Sequence, residues 1–488
     1  MLDRPQKSLA DPPSPPLPRA FSPWLRTCEG SAAQQLATAV LQRLTHSEDR
    51  KRQRRESDAT TFTALVDALV ANLLRCQLDP KQQADIDEKG GWVKVPLSRR
   101  KTGSAKAVDR YHVAPMPLSK LPDIVKAMAV LELVSLYKAP QSSWTRHASK
   151  IKCGDCLLEL IDELNPRLEE LKSFTTVVDA RGNIIQPEVI ELREAADGGD
   201  AVTGVFEVFK RRQRRGPNRK SPPPAQYKDT EQTNAWREQV RRINAALHQA
   251  DITFDIGNGV IGGHRVPEHG IAVRDRFTRR IFNNERWDNG GRLYGGFWQG
   301  LPRELRDGIR IDGHRVVTLD FSSMFLQLLY AVKAKHQAPL DEADLYERID
   351  REAGWPNDPE QKALVRDAVK KIVNAMLFDD PDAPRKSLPK NTRPFIDKRT
   401  KWADLVRRMK ERHPPIARWV GTGVGFELMH HESEIMIATV LSCLDQGVVV
   451  LPIHDGLLVA ECHKEIARTA MREAFQEYTG GVTARISG

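Results

Sequence analysis

Hydrophobic residues follow two kinds of pattern along this chain, a helical repeat and continuous apolar runs. From Thr60, the segment TFTALVDALVANLLRCQL repeats apolar residues every three or four positions, which predicts an amphipathic helix. The segments RVVTLDF and GVVVLPIHDGLLVA contain runs of β-branched and aliphatic residues, which predict buried strands. In the second segment, the dipeptide Asp455-Gly456 is typical of a hairpin turn. The pattern therefore predicts both helices and strands, with the strands concentrated in the second half.

Composition shifts divide the chain into four segments. We predict a disordered, basic and proline-rich tail over residues 1–58, because its prolines and the charged run at 50–55 cannot form a core. A mainly helical domain, thumb-like or winged-helix-like, is expected over 59–203. Seven Lys and Arg in residues 210–220, followed by three prolines, predict a basic linker over 204–226. Residues 227–488 hold every chemical motif.

Charge and cysteine content narrow the range of functions. The 488 residues include 75 Lys and Arg against 65 Asp and Glu, a net charge of +10, which favours a nucleic-acid partner. No apolar run approaches 18 residues and no secretory signal is apparent, so we expect no membrane span and a cytoplasmic, nucleoid-associated protein. Six cysteines are too few for a disulfide scaffold, and Cys153 and Cys156 lack the second pair that a zinc site needs.

Two aspartates stand at strand ends. Asp320 follows VVTL and precedes a helix-like segment, whereas Asp455 lies between two apolar strands. Either residue alone is more simply a helix cap or a turn residue. Together they match the needs of a two-metal phosphoryl-transfer site, because Mg²⁺ prefers oxygen ligands.

A third segment, LVRDAVKKIVNAMLF, has four notable residues spaced four apart. Helical geometry places Arg366, Lys370, Asn374 and Phe378 on one stripe, beside an apolar face. The two cations on this stripe suit a triphosphate. The simpler interpretation is a solvated basic stripe on a surface helix.

The order of these motifs resembles the palm and fingers of family A nucleic-acid polymerases, over residues 274–488 and weakly from about 227. The resemblance rests on GGRLYGGFWQGLP with Arg292 and Gln299, on Asp320 as the acid of motif A, on Arg366, Lys370 and Phe378 in motif B, and on His454 and Asp455 in motif C. Gly456 replaces the glutamate or serine that ends motif C, and Phe325 stands where the DNA polymerases of the family have a glutamate. The closing VTARIS suits the family's last strand.

The resemblance implies a fold and an activity. The fold would be α+β, a right-hand palm with an antiparallel sheet and helical fingers at about 341–412. The activity would be DNA polymerase-like nucleotidyl transfer, which extends a primer without proofreading and serves replication or repair. Partners would be primer-template DNA, RNA as an alternative, nucleoside triphosphates and a processivity or replication factor. Asp320 and Asp455 would bind two Mg²⁺ ions, with Mn²⁺ as an alternative.

The same resemblance assigns the remaining roles. Lys370 would be the general acid. The nucleotide site would comprise Arg366, Lys370, Asn374, Phe378 and Phe325, the last as a steric gate against a 2′-hydroxyl. The primer and template would contact Arg292, Gln299 and His454. Glu432, in HHESEIMIATV, receives no role.

Three other functions stay open. The chain is alternatively an RNA-synthesising or primase-like polymerase of the same fold. A catalytically inactive, polymerase-like nucleic-acid-binding protein is the non-enzymatic alternative, although both metal acids are present. His454-Asp455 also occurs in metal phosphohydrolases, but that chemistry needs upstream histidines with helical spacing, and the adjacent His430 and His431 do not supply them.

Overall fold

Two compact units make up the described part of the chain. The computed structural model describes residues 19–20, 22–48, 54–78, 91–95, 118–137, 149–173, 177–178, 184–194, 224–257, 259–266, 270–340, 344–351, 355–356, 358–382 and 384–488. One unit is formed by Met1–Pro187 with Arg265–Asp275, and the other by Glu188–His264 with Arg276–Gly488. The start of the predicted tail, residues 50–53 of the first basic run and the basic run at 210–220 lie outside the described residues.

The first unit combines helices with short strands around one apolar core. Its described helices are α1 (Ala32–His46), α2 (Glu56–Leu78), α3 (Leu121–Val130) and α4 (Asp155–Leu164). Its described strands are β1 (Arg19–Ala20), β2 (Leu25–Thr27), β3 (Val93–Lys94), β4 (Val134–Tyr137), β5 (Lys150–Cys153), β6 (Leu171–Ser173), β7 (Val177–Val178) and β8 (Ile184–Ile185). Strands β1, β3, β5 and β4 form a sheet in that order.

Helix α1 corrects the prediction of a disordered tail up to residue 58. Ser31 caps it by accepting a hydrogen bond from the amide of Gln34. Leu36, Val40 and Leu44 lie on one face and are almost wholly buried. Apolar residues spaced three and four apart in AAQQLATAVLQRL form the buried face of this helix. The prediction missed it because the prolines and charges on either side dominate the composition of the region.

Helix α2 is the amphipathic helix that the spacing from Thr60 predicts, and it begins at Glu56. By length and composition it is also long and apolar enough to cross a membrane, which the sequence reading did not anticipate. Most of it, 61% of the apolar window, is buried within the structure. Leu65, Leu69 and Leu73 have no exposed surface and belong to the core of the first unit.

The second unit begins earlier in the chain than residue 227. Strand β9 (Ile190–Leu192) pairs in parallel with β13 (Thr278–Phe282), which is also paired with β14 (Gly290–Gly295). Residues 188–194 therefore belong with the second unit and not with the N-terminal domain, where the sequence analysis placed them. Their hydrogen bonds go to β13, and β-pairing gives no signal in local composition.

A six-stranded sheet forms the centre of the second unit. Its order is β10 (Ile252–Phe254), β15 (Ile309–Ile311), β16 (His314–Phe321), β18 (Gly456–Ala460) and β17 (Val450–Ile453), with β19 (Ile486–Ser487) also paired to β16. Each of these pairings is antiparallel. The hairpin predicted around Asp455 and the last strand predicted from VTARIS are both confirmed. A separate ribbon is formed by β11 (Val260–Ile261) and β12 (His264–Arg265).

The second unit also contains helices. They are α5 (Glu231–Gln249), α6 (Phe297–Gly300), α7 (Met324–Leu328), α8 (Pro359–Leu377), α9 (Trp402–Arg412), α10 (Gly425–Asp445) and α11 (Lys464–Thr479), and a π-helical segment, Leu329–Ala334, continues α7. Trp298, Phe321 and Phe475 are fully buried between them. The second unit is thus a mixed α+β fold with an antiparallel central sheet, the class that the sequence predicted.

Candidate active site

Two carboxylates lie next to each other at one end of the central sheet. The register of β16 and β18 sets Asp320 opposite Gly456, the residue that follows Asp455. The amide of Phe321 also donates a hydrogen bond of 3.1 Å to the carbonyl oxygen of Asp455. Opposed Cα atoms in an antiparallel pair are only about 4.5–5.5 Å apart. Strand pairing therefore brings together two acids that are far apart in the sequence.

The turn that carries Asp455 consists of two residues, His454 and Asp455, so it lies one residue earlier than Asp455-Gly456. His454 has a left-handed φ of 53°. Gly456 is the first residue of β18, where a Cβ atom would lie 2.6 Å from the carbonyl oxygen of Leu319 and 2.7 Å from Oδ1 of Asp320. A glutamate or serine, as in motif C of the polymerases, would therefore displace the backbone or the Asp320 carboxylate. Glycine at this position is required by the close approach of β16.

Buried side chains hold this hairpin in place. Nε1 of Trp298 and Nε2 of Gln299 both donate to the carbonyl oxygen of Pro452, each at 2.9 Å. Gln299 also donates to the carbonyl of Leu293 and accepts from the amide of Gly295, both at 3.2 Å. Its amide group thus ties β14 to the hairpin, whereas the sequence predicts a contact with the primer or template. That predicted contact stays a prediction.

Lys370, on α8, is the cation that faces both aspartates. Burial alone would lower the pKa of its ammonium group, but Asp455, Tyr346 and Asp320 together outweigh burial and raise that pKa above its ordinary value. The pKa of Asp320 rises in turn to about 7, mainly through burial and then through the charge of Asp455, with Lys370 opposing the rise. Three residues from separate segments therefore form one electrostatic group.

One turn earlier on α8, Arg366 is held by side chains from the preceding loop. Its Nε lies 2.5 Å from Oδ2 of Asp344, and its guanidinium group lies 5.4 Å from the ring centroid of Tyr346. Tyr346 is 1% exposed, burial raises its pKa, and its hydroxyl interacts with Ser323 just after motif A. The sequence analysis missed Tyr346 because a lone tyrosine between polar residues gives no pattern signal.

The other end of the α8 stripe is aromatic. Asn374 is buried, and Phe378 follows directly after the helix. The Phe378 ring lies 5.7 Å from that of Phe325 on α7 and 5.0 Å from that of Phe426 on α10. A Cβ atom at Gly425 would come within 2.6 Å of the Phe378 ring, so glycine there allows α10 to pack against this ring. The three rings join α7, α8 and α10 beside the acids.

A buried ion pair lies behind the strand-end acids. Nε and Nη2 of Arg292 donate to Oε1 and Oε2 of Glu432 at 2.6 and 2.7 Å, and the two side chains are 5% and 1% exposed. Burial raises the pKa of Glu432, with Arg292 opposing the rise, and the attraction of Glu432 outweighs burial at Arg292, whose pKa is also raised. The Arg292 guanidinium also lies 5.4 Å from the Phe325 ring. The donors predicted to contact the primer are thus bound to Glu432.

His454, predicted to lie near the primer terminus, is adjacent to Asp455 in the hairpin turn. Burial and the nearby charges of Arg292 and Arg306 lower the pKa of its imidazole to about 3, so the ring is neutral at physiological pH. Its ring lies 5.8 Å from that of Tyr294. Its buried Nδ1 has no hydrogen-bond partner among the described residues.

The site therefore contains three carboxylates and two cations that influence one another, namely Asp320, Asp455, Glu432, Lys370 and Arg292. Glu432 could not be found from the sequence, because its partner lies 140 residues away and no short motif links them. Within the described ranges, no group of three or more His, Cys, Asp or Glu side chains is arranged to hold a metal ion. Asp320, at the end of β16, and Asp455, in the β17–β18 turn, form a pair of carboxylates.

No family model matches the chain, and no curated protein matches it. Among solved structures, the chain is similar to the polymerase domain of Pol1 from M. smegmatis, solved in complex with DNA primer-template and dNTP. The TM-score is 0.30 and the identity 14%, over 52% of this chain and 51% of that chain. The match thus spans about half the length of each protein.

Proposed function

We propose that this chain is a nucleotidyltransferase that extends a nucleic-acid primer from nucleoside triphosphates, with the second unit acting as a polymerase palm and fingers. The observation that carries the proposal is the meeting of Asp320, Asp455 and Lys370, which come from β16, the β17–β18 turn and α8. These segments occur in the order of the polymerase motifs A, B and C. In the proposal the six-stranded sheet is the palm, and the fingers are residues 341–412.

The charge of the site supports binding of a cation. The raised pKa of Asp320 means that its ionised form is disfavoured by burial and by Asp455. A divalent cation between the two carboxylates would remove this repulsion. Mg²⁺ is commonly held by only one or two carboxylates together with substrate phosphates, so a pair of strand-end acids fits it. Once bound, two Mg²⁺ ions would activate the primer 3′-hydroxyl and stabilise the leaving pyrophosphate.

The residues of the chain would then position the reactants and move one proton. The 3′-hydroxyl loses its proton to water, its oxygen forms a bond to the α-phosphorus, and the bond from that phosphorus to the pyrophosphate oxygen breaks. Nζ of Lys370 would donate its proton to that leaving oxygen. Arg366 would hold the outer phosphates while Asp344 fixes the direction of its guanidinium group. Phosphoryl transfer needs little beyond such positioning and neutralisation of charge.

The aromatic cluster would form the nucleotide pocket. Phe378 and Asn374 would contact the incoming base, and Phe325 would lie beneath the sugar and favour a deoxynucleotide. Arg292 and Glu432 would hold Phe325 and Asp455 in place. His454, as a neutral ring, would accept or donate a hydrogen bond at the primer terminus. The partners would be primer-template DNA and nucleoside triphosphates.

The decisive experiment is extension of a labelled primer by the full-length protein with Mg²⁺ and dNTPs. Asp320→Asn and Asp455→Asn should each abolish extension, because each removes one of the two charges that hold the cations. Binding of the primer-template, followed by fluorescence anisotropy in EDTA, should be nearly unchanged. Parallel reactions with NTPs and with unprimed template distinguish a DNA polymerase from an RNA-synthesising enzyme.

Asp445→Asn is the matched control. Asp445 is an exposed acid at the end of α10 that pairs with Arg242, also exposed, so the same chemical change there should leave extension intact. Extension retained by Asp320→Asn or Asp455→Asn would refute the proposal. Absence of extension in the unmodified protein with every template and nucleotide would favour an inactive binding protein.

A further inference from the structure

One segment of the second unit carries a large excess of positive charge, in addition to the basic runs at 50–55 and 210–220. Residues 385–418 contain twelve Lys and Arg against three Asp and Glu, a net charge of +9, compared with +10 for the entire chain. The segment lies in the second unit and includes helix α9. Lys390, Lys398 and Lys410 are exposed and have no ion-pair partner among the described residues. A field of this strength attracts a polyanion.

A cleft of about 810 Å³ opens between this charged segment and the neighbouring residues 376–384 and 420–421. Its apolar lining includes Met376, Trp402, Val406 and Val420, of which all but Val406 are buried. The cleft has the volume of a small-molecule site and is larger than a single base requires. Since Trp402 lies on the first turn of α9, its indole ring forms part of a wall fixed by the helix.

Charged side chains of both signs also line the cleft, with the carboxylates of Asp379 and Glu411 outnumbered by three cations. Arg385, Arg407 and Lys410 also line the cleft, and the last two are exposed. The Arg385 guanidinium lies 5.9 Å from the Trp402 ring centroid, whereas Arg407 is bound to Glu411 at 2.9 and 3.0 Å. The cleft thus offers an aromatic and aliphatic interior with positive charge at its edge.

This combination has a specific ligand chemistry. Proteins that bind single-stranded nucleic acid combine a basic track for phosphates with aromatic side chains on which bases stack. A duplex keeps its bases stacked inside and leaves an apolar cleft unfilled. An acidic peptide would match the charge but has no planar ring for Trp402. One mononucleotide would leave most of the nine charges unused.

We infer that residues 385–418 form a binding site for single-stranded nucleic acid, with one unstacked base in the cleft beside Trp402 and the phosphates along Lys390, Lys398 and Lys410. This site is distinct from Asp320 and Asp455. It rests on the proposed function in that residues 385–412 belong to the segment proposed as fingers, but binding here does not require nucleotidyl transfer.

The charge part of the inference is tested by salt dependence. Binding of a fluorescein-labelled oligo(dT) to the full-length protein is followed by anisotropy in EDTA from low to high salt. Lys390→Gln, Lys398→Gln and Lys410→Gln combined should reduce the slope of log K against log salt by about 2, since each single-strand phosphate contact contributes about 0.7. Lys228→Gln, Lys335→Gln and Arg472→Gln combined remove the same charge from exposed positions outside the segment and should leave the slope unchanged.

Binding of a base in the cleft is tested by comparing oligo(dT) with an abasic oligonucleotide of equal length. The unmodified protein should prefer oligo(dT) by about 10-fold, the size of one stacked base. Trp402→Leu should reduce this preference towards one while the affinity for the abasic strand stays the same, which also shows that the variant is folded. Ala403→Leu, at an exposed position on the cleft wall, narrows the cleft without disturbing the core and should have the same effect.

Three results would overturn the inference. They are an equal salt slope in both triple variants, no preference for oligo(dT) over the abasic strand, and competition by duplex DNA or polyglutamate as strong as by oligo(dT). None of them depends on Asp320 or Asp455. A failure of primer extension would therefore leave this site standing, and the reverse also holds.

Discussion

The candidate active site contains carboxylates in two contrasting environments, with Glu432 fully buried and Asp320 half-buried. Glu432, on α10, receives two hydrogen bonds from Arg292, at 2.6 and 2.7 Å. Asp320, at the end of β16, has the like charge of Asp455 beside it, and Lys370 acts on both. A carboxylate paired with arginine on two atoms is fixed in place, whereas an acid next to another acid raises the free energy of the folded state. The difference separates an acid that holds the structure from acids kept available for a ligand.

Lys370→Ala should produce the largest change, because Lys370 is the cation that acts on both Asp320 and Asp455. We expect Lys370→Ala to slow single-turnover primer extension by about 10²–10⁴-fold, the usual contribution of a general acid. Lys371→Ala is the control, since Lys371 is the next residue of α8 and pairs with the exposed Asp367 at 2.5 Å. Equal rates in the two variants, or a change in template affinity alone, would move Lys370 out of the catalytic group.

Removal of Glu432 tests whether its buried ion pair with Arg292 stabilises the fold. Glu432→Ala leaves the guanidinium of Arg292 buried without its partner, which we expect to lower the free energy of unfolding by about 3–5 kcal/mol. Urea denaturation measures this change. The double variant Arg292→Met with Glu432→Leu removes both charges and should recover most of the loss. A loss below about 1 kcal/mol in the single variant would mean that Glu432 does not stabilise the fold, and the contrast with Asp320 would disappear.

The same contrast shows what could be predicted from sequence. Asp320 and Asp455 adjoin runs of β-branched and aliphatic residues, and Lys370 lies on a segment with helical spacing. These local patterns place them at a strand end, in a hairpin and on a helix. The α+β class follows from the same patterns. Glu432 lies in an ordinary apolar helix, and its partner is on a strand far away in sequence. Only tertiary packing brings them together.

The errors have the same origin. Helix α1 was hidden because the proline and arginine content of the surrounding residues outweighed a short apolar repeat. Strand β9 was assigned to the wrong domain because its parallel partner, β13, follows about 90 residues later. Gly456 looked like a turn residue, and only the 2.6 Å approach of the Leu319 carbonyl oxygen explains it. Each error concerns a contact between distant segments, which local composition does not encode.

The smallest expected effect is on how the free energy of unfolding depends on pH, to which Asp320 contributes through its raised pKa. Its pKa is raised by burial and by Asp455 from 3.8 to about 7, so between about pH 4 and pH 7 the folded state binds more protons at this group than the unfolded state does. Stability therefore falls as pH rises through this window, by at most about 1.4 kcal/mol per pH unit, and by less because the residue is half-buried. Above pH 7 the contribution of Asp320 is constant.

Asp320→Asn removes this titration and leaves every other group in place. Urea denaturation in EDTA, at half-unit steps from pH 4 to pH 8, should give a curve that falls less steeply than that of the unmodified protein. Asp445→Asn, which changes an exposed acid, should give the unmodified slope. Glu432 titrates in both proteins, and the charge of Asp320 acts on it, so the difference between the curves reports Asp320 together with its effect on Glu432. Parallel curves for Asp320→Asn and the unmodified protein would mean that Asp320 is not under electrostatic stress, and the two kinds of carboxylate would then be alike.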